Sequence, residues 1–156
     1  MKNQKSKSAF TMLELIFIIV IIGILASVAI PRLSATRDDA EITKARVTVA
    51  SIRNALTMER QKRILRGEFG KITALTADSN VFGTFKAKDS NGTVVDTGVM
   101  VLEYAISSNT NKGHWSLENG GADYKFNSGV AKNPIFVVSN GKFVCKTGSD
   151  CSALLD

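Results

Sequence analysis

The carboxylate of Glu14 is the group in this 156-residue sequence whose type and position most clearly suggest chemistry. It interrupts an apolar run, because the sixteen residues from Leu15 to Ile30 that follow it carry no charge. A carboxylate at membrane depth costs roughly 2.5 to 3.5 kcal/mol. A carboxylate at this position therefore needs a reason, and one possibility is a side chain that snorkels to the membrane surface.

The other reactive residue types do not form a pattern typical of catalysis. The sequence has one histidine, His114, and two cysteines, Cys145 and Cys151, which are too few for a structural zinc site. We find no nucleophile–base pair and no phosphate-binding loop, so we expect a protein that is not an enzyme and has no cofactor or metal. We interpret His114 as a loop residue and Trp115 as a core anchor.

The two cysteines lie close together near the C-terminus. We expect this part of the chain to be exported across a membrane. An even number of cysteines in an exported segment favours one disulfide, here between Cys145 and Cys151, which would close a small loop. Two reduced, unpaired thiols are the alternative.

Basic residues are concentrated between positions 53 and 66, which makes nucleic-acid contact a candidate function. The net charge of +6 gives it weak support, because the first nine residues contribute three lysines and the rest of the chain carries only +3. A solvated helix face, or a surface that pairs with acidic residues of a neighbouring subunit, is the alternative. The basic residues are Arg53, Arg60, Lys62, Arg63 and Arg66.

The apolar run is long enough to cross a bilayer. Residues 10–30 would form a helix about 31 Å long, close to the thickness of the hydrocarbon core. The lysines of residues 1–9 predict that the N-terminus stays in the cytoplasm and that the C-terminus crosses the membrane. We expect a basic leader at 1–9 and a single-pass helix at 10–30.

The segment 31–66 continues with helical periodicity and no further glycine or proline until Gly67. Its apolar residues recur every three or four positions, which places them on one face, and we expect that face to pack on a sheet. A coiled-coil seam is the alternative. The stripe consists of Ile42, Ala45, Val49, Ile52 and Leu56.

Residues 67–156 are predicted to form a β-rich head. The strongest signal is Asn140-Gly141 between the apolar runs 135–138 and 143–145, because both residues of such a hairpin turn need positive φ. We also expect a strand over 99–106, and loops over 107–114 and 119–133. The predicted fold class is α+β, with a long helix packed on a small antiparallel sheet.

Residues 7–15, Lys-Ser-Ala-Phe-Thr-Met-Leu-Glu-Leu, resemble the prepilin signature of type IV pilins and type II secretion pseudopilins. The resemblance implies cleavage between Ala9 and Phe10 and methylation of the new N-terminus, although Ala9 stands where the family usually has glycine. It also implies that Glu14 pairs with the N-terminus of a neighbouring subunit during assembly. Gly23 and Pro31 fall where the family has residues that loosen the helix.

The function that the resemblance implies is a structural subunit of a type II secretion pseudopilus or of a type IV-like pilus, including a competence pilus that takes up DNA. The implied partners are other pilin-like subunits in a homo- or hetero-polymer, the prepilin peptidase, the assembly machinery and the bacterial inner membrane. The head would be periplasmic. Two alternatives remain, namely a DNA-binding pilin and a secreted periplasmic domain whose signal is removed after Ser27-Val28-Ala29.

Overall fold

The computed structural model describes residues 10–75, 79–129 and 132–155. Ala9, and with it one side of the predicted cleavage site, lies outside them. The elements are α1 (Met12–Leu65), β1 (Ile72–Ala74), β2 (Thr84–Lys88), β3 (Val94–Met100), β4 (Trp115–Glu118), a 3-10 turn (Asn119–Gly121), β5 (Asp123–Phe126), β6 (Ile135–Ser139), β7 (Lys142–Cys145) and α2 (Ser152–Leu155).

The chain divides into two compact units, an N-terminal unit that ends at Arg37 and a globular unit that begins at Asp38. The helix α1 runs through this boundary and through Pro31, which lies inside it. The continuation of the apolar helix into the segment 31–66 is therefore confirmed. The helix is also slightly shorter than the predicted span of residues 10–66.

The end of α1 is set by Gly67, which has a φ of +77°. Its N–H donates to the carbonyl oxygen of Ile64 at 3.0 Å, and the N–H of Glu68 donates to that of Arg63 at 2.9 Å. This pair of bonds is the Schellman motif, in which a left-handed residue satisfies the last carbonyls of a helix.

The strands form two antiparallel sheets, one in the order β1-β2-β3 and one in the order β4-β5-β6-β7. The predicted α+β class, with a long helix and small antiparallel sheets, is therefore confirmed. The predicted hairpin is also present as β6 and β7, joined by Asn140 and Gly141 at φ values of 52° and 72°.

Two predictions for the head are wrong. The strand expected over 99–106 is shifted, because β3 ends at Met100 and the next residues form bends. Val101 leaves the strand and buries its side chain, and its N–H donates to the carbonyl oxygen of Gly83. The loop expected over 119–133 contains β5, whose residues pair with both β4 and β6.

The core of the globular unit joins the stripe on α1 to a cluster of aromatic rings. Ala45, Val49, Ile52 and Leu56 are buried, and Ile42 is partly buried against them. The centroid of each ring in the cluster lies within 6.5 Å of at least one other, in stacked, tilted and edge-to-face pairs. They belong to Phe82, Trp115, Tyr124, Phe126, Phe136 and Phe143.

Candidate assembly site

Glu14 lies in the first turn of α1, and Thr11 caps that turn. The Thr11 hydroxyl accepts the backbone N–H of Glu14 at 3.2 Å, and the Thr11 carbonyl accepts the N–H of Leu15 at 3.1 Å. Thr11 is thus the N-cap residue, and it satisfies one of the four free N–H groups at the helix start. A carboxylate in the first turn is also stabilised by the positive end of the helix dipole.

The N-terminal unit exposes its apolar side chains on all sides. Phe10 is 77% exposed, Ile24 is 64% exposed and Leu33 is 74% exposed. Within the described residues, α1 is long and apolar enough to cross a membrane, and its apolar window is not buried in the protein. Apolar surface of this extent on a folded protein marks a membrane or protein interaction site.

Gly23 and Pro31 lie along the same exposed segment. A Cβ atom added to Gly23 would meet no atom within 4 Å, so packing within the chain does not explain a glycine there. Pro31 cannot donate the hydrogen bond of its turn, and both residues lower the stability of an isolated helix.

Cys145 and Cys151 are joined by a disulfide with their Cα atoms 6.0 Å apart. The bond ties the end of β7 to the short helix α2, whose Leu154 is buried in the core. The helix α2 is also bound to α1, because Arg46 donates its Nε–H to the carbonyl oxygen of Ala153 at 2.7 Å. The C-terminal segment is therefore held both by the covalent bond and by α1.

The five basic residues of the predicted nucleic-acid cluster do not share one surface role. Arg53 donates its Nε–H to the carbonyl oxygen of Phe143 at 3.2 Å. Arg60 and Lys62 are exposed. Nucleic-acid contact through this cluster stays a prediction.

Arg63 and Arg66 make ion pairs inside the globular unit. Arg63 is buried, with 6% of its surface exposed, and its guanidinium pairs with the Glu68 carboxylate at 3.2 Å. Arg66 pairs with the same Glu68 at 3.2 Å and with the buried Glu59 at 3.3 Å. These contacts fix the chain that leaves α1.

The sequence reasoning missed the role of Thr11, although a signal for it was present. Thr11-Met-Leu-Glu14 has the spacing of a capping box, in which a threonine and a glutamate cap the same helix start.

Among the described residues, no group of three or more His, Cys, Asp or Glu side chains could hold a metal ion.

Comparison with known proteins gives matches to the N-terminal 58 or so residues. The chain is 38% identical to the type II secretion system core protein G of Vibrio cholerae over 58 residues, which cover 37% of this chain and 40% of that protein. The proteins of the same name from Aeromonas hydrophila and Pseudomonas aeruginosa are 40% and 34% identical over 56 residues, which cover 36% of this chain and 39% of each relative.

The matched part thus spans about two fifths of the length of these curated relatives. No family model matches the chain, and no solved structure matches it significantly. The relatives confirm the resemblance of the N-terminal segment to the pilin and pseudopilin family.

Proposed function

We propose that this chain is a structural subunit of a type II secretion pseudopilus, anchored in the inner membrane before assembly and held in the filament by its N-terminal helix. The observation that carries the proposal is the exposed apolar segment with one carboxylate in its first turn, in the part of the chain that resembles core protein G. A type IV-like pilus, including a competence pilus, would use the same segment in the same way.

The exposed apolar surface suits two environments in turn. In the membrane, lipid chains would cover it, because a helix satisfies its own backbone groups and most of the side chains of this segment are apolar. In a filament, the same segments of neighbouring subunits would cover one another. A structural role of this kind needs no catalytic group.

Processing between Ala9 and Phe10 would give Glu14 its partner. The cut creates an amine on Phe10, and this amine stays protonatable after methylation. A cation and an anion that are each costly in an apolar medium become tolerable when they are paired. We propose that Glu14 pairs with the Phe10 amine of an adjacent subunit, and that a misdocked subunit is penalised because its charges stay unpaired.

Gly23 and Pro31 would serve the transfer from membrane to filament. A helix with weakened turns can bend or loosen between them, and the empty space around Gly23 agrees with a role in flexibility rather than in packing within the chain.

The globular unit would face the periplasm. Disulfides persist in oxidising compartments such as the bacterial periplasm, and the bond between Cys145 and Cys151 supports that location. The proposed partners are other pilin-like subunits, the prepilin peptidase and the assembly machinery.

The mature N-terminus tests the processing step. Mass spectrometry of the protein purified from membranes should find a chain that begins at methylated Phe10. A chain that begins at Ile30 would support the alternative of a secreted domain with a removed signal, and a chain that begins at Met1 would exclude processing.

Substitution of Glu14 tests the charge pair. Glu14→Gln keeps the shape of the side chain and removes its charge, so the protein should insert into the membrane and be processed normally. Because the amine of the adjacent subunit loses its partner, we expect the variant to be absent from sheared filaments. Glu14→Ala should behave in the same way.

Thr11→Val is the matched control, because it removes the cap on the helix start and leaves the carboxylate in place. It should retain much more assembly than Glu14→Gln. If both glutamate variants build filaments at normal yield, the charge-pair mechanism is wrong. If Thr11→Val abolishes assembly as completely as they do, the role of Glu14 is to begin the helix rather than to pair.

A further inference from the structure

Three surface clefts of the globular unit adjoin around the last turns of α1. The first, of about 330 Å³, lies between α1 and β7, and it shares Gly141 with the second, of about 160 Å³. The second shares Phe69 and Gly70 with the third, of about 830 Å³. The three clefts are thus neighbours along one side of the globular unit, and we call them together the basic groove.

Basic side chains line each part of the basic groove. Among the described residues its lining contains two acids, Glu68 and Asp89, and the Glu68 carboxylate is already paired with Arg63 and Arg66. The cations outnumber the acids, so the groove has a net positive charge. In order along it they are Arg53 and Lys142, then Arg60 and Lys71, then Arg66 and Lys88.

The walls of the basic groove are held in place by internal contacts. Arg53 donates to the carbonyl oxygen of Phe143 in β7, and Lys71 donates to the side-chain oxygen of Asn140 at 3.1 Å. Arg63 lines the second and third clefts, and its ion pair with Glu68 at 3.2 Å holds it there. These contacts present a charged surface that is formed in advance, which lowers the entropic cost of binding.

Phe69 stands where the second and third clefts meet, and it is 79% exposed. A phenyl ring in solvent between clusters of cations is poorly explained by folding, since burial of an aromatic side chain is favourable. It is well placed to stack on a flat ligand. Proteins that bind single-stranded nucleic acid combine such a ring with a basic groove that follows the backbone.

We propose that the basic groove binds single-stranded nucleic acid, with phosphates on the cations and one base stacked on Phe69. From Arg53 to Arg66 the helix rises about 20 Å. That length accommodates roughly six stacked nucleotides at about 3.4 Å each. A duplex would satisfy the cations, but its bases are already stacked on one another. An acidic peptide would also satisfy the cations and would leave the ring without a base to stack on.

This site is separate from the assembly segment, and the proposal does not rest on the filament function. Sequence reasoning grouped the cations differently, because it included Lys62, which lines none of the three clefts. It missed Lys71, Lys88 and Lys142, which come from parts of the chain distant from α1.

The test is a titration of the full-length chain in non-ionic detergent against fluorescent oligo-deoxythymidine, followed by anisotropy. If each of the six cations contacts a phosphate, the logarithm of the affinity should fall with the logarithm of salt concentration with a slope of about −4. Unlabelled single strands should compete well, whereas duplex of the same length and poly-glutamate should compete poorly.

Two variants with matched controls locate the site. Phe69→Ala should lower the affinity about 5- to 150-fold, which is the range for loss of one stacked base, and Phe69→Tyr should restore it. Tyr104 is equally exposed and lines none of the clefts, so Tyr104→Ala should have no effect.

Charge removal is tested at exposed residues. The double change Arg60→Gln with Lys142→Gln should lower the affinity and make the salt slope shallower by about 1.4. Lys44→Gln with Lys62→Gln removes the same charge outside the groove and should do neither. The proposal is overturned if the two double variants lose affinity equally, if Phe69→Ala binds normally, or if duplex or poly-glutamate competes as well as single strands.

Discussion

Replacement of Tyr124 by phenylalanine isolates one hydrogen bond in the centre of the globular unit. The Tyr124 hydroxyl accepts the backbone N–H of Leu75 at 2.8 Å, and both residues are fully buried. The ring also stacks on Phe82 with the centroids 5.4 Å apart. Tyr124→Phe retains the ring but leaves a buried N–H without an acceptor, so we expect the free energy of unfolding at neutral pH to fall by about 1 to 3 kcal/mol.

The same hydroxyl gives the wild-type protein a pH dependence that the variant lacks. Burial raises the pKa of Tyr124 from 10.0 to about 12, although the bond from Leu75 acts in the opposite direction. Between these values the unfolded chain loses the phenolic proton while the folded chain keeps it, so stability falls as pH rises. The loss amounts to about 1.4 kcal/mol by pH 11.

The assay is denaturant unfolding of both proteins at pH 7, 9 and 11, followed by fluorescence of the single tryptophan, Trp115, which is buried in the same core. Groups that titrate in both proteins cancel in the comparison. The advantage of the wild type should therefore shrink by about 1.4 kcal/mol between pH 9 and pH 11. Equal pH dependence in the two proteins would refute a buried phenol with a raised pKa. Tyr104→Phe, at an exposed tyrosine, should leave neutral stability unchanged.

Two further predictions concern the stability of the globular unit. Thiol labelling of the unfolded, unreduced chain should find no free cysteine, and two labelled thiols would contradict the bond. Replacement of both Cys145 and Cys151 by serine should lower the free energy of unfolding by about 2 to 3 kcal/mol, as expected for so short a loop. Ile52→Ala, at a fully buried position, should lower the free energy of unfolding by about 2 to 5 kcal/mol. Val47→Ala, at a side chain that is 61% exposed, should change it by less than about 0.5 kcal/mol. Similar losses at the two positions would mean that the opposite face of α1 is also packed.

The part of the head that could be predicted is the part whose signal is local. The stripe from Ile42 to Leu56 repeats with the period of a helix, and that period alone identifies the buried face. The turn at Asn140 and Gly141 needs positive φ at both positions, and these residue types meet that need. Neither prediction required knowledge of which elements lie side by side.

The errors arose where pairing between distant strands decides the structure. The apolar run 99–106 has strand-forming residues, but Gly98 takes a φ of +66° and the ladder with β2 is irregular between Thr84 and Lys86. β5 has only four residues, their burial does not alternate along the strand, and Gly121 and Asn127 lie close to its two ends. Its two neighbouring strands supply the hydrogen bonds that stabilise it.

The basic groove shows the same limit for a site. Arg53 and Arg60 are seven residues apart and share a helix face, whereas Lys62 points elsewhere, and this much follows from the sequence. Lys71, Lys88 and Lys142 join them only through the fold, and Arg63 and Arg66 are engaged in ion pairs with Glu59 and Glu68. A cluster of charges in sequence is therefore not the same set as a cluster on the surface.

The start of α1 offers a reason why an isolated subunit would tolerate Glu14 before it assembles. In the capping box that the sequence of residues 11–14 matches, the glutamate side chain accepts the backbone N–H of the capping threonine. The structure of the single chain contains the threonine half of this box, because the Thr11 hydroxyl accepts the Glu14 N–H, and the glutamate half would give the carboxylate a donor before assembly. When the charged Phe10 amine of a neighbour arrives, the carboxylate exchanges a neutral donor for an ionised one and gains the attraction between two opposite charges, which is strong in an apolar medium. Glu14 itself favours assembly only through this difference between the two states, because a partner that is equally good in both shifts no equilibrium.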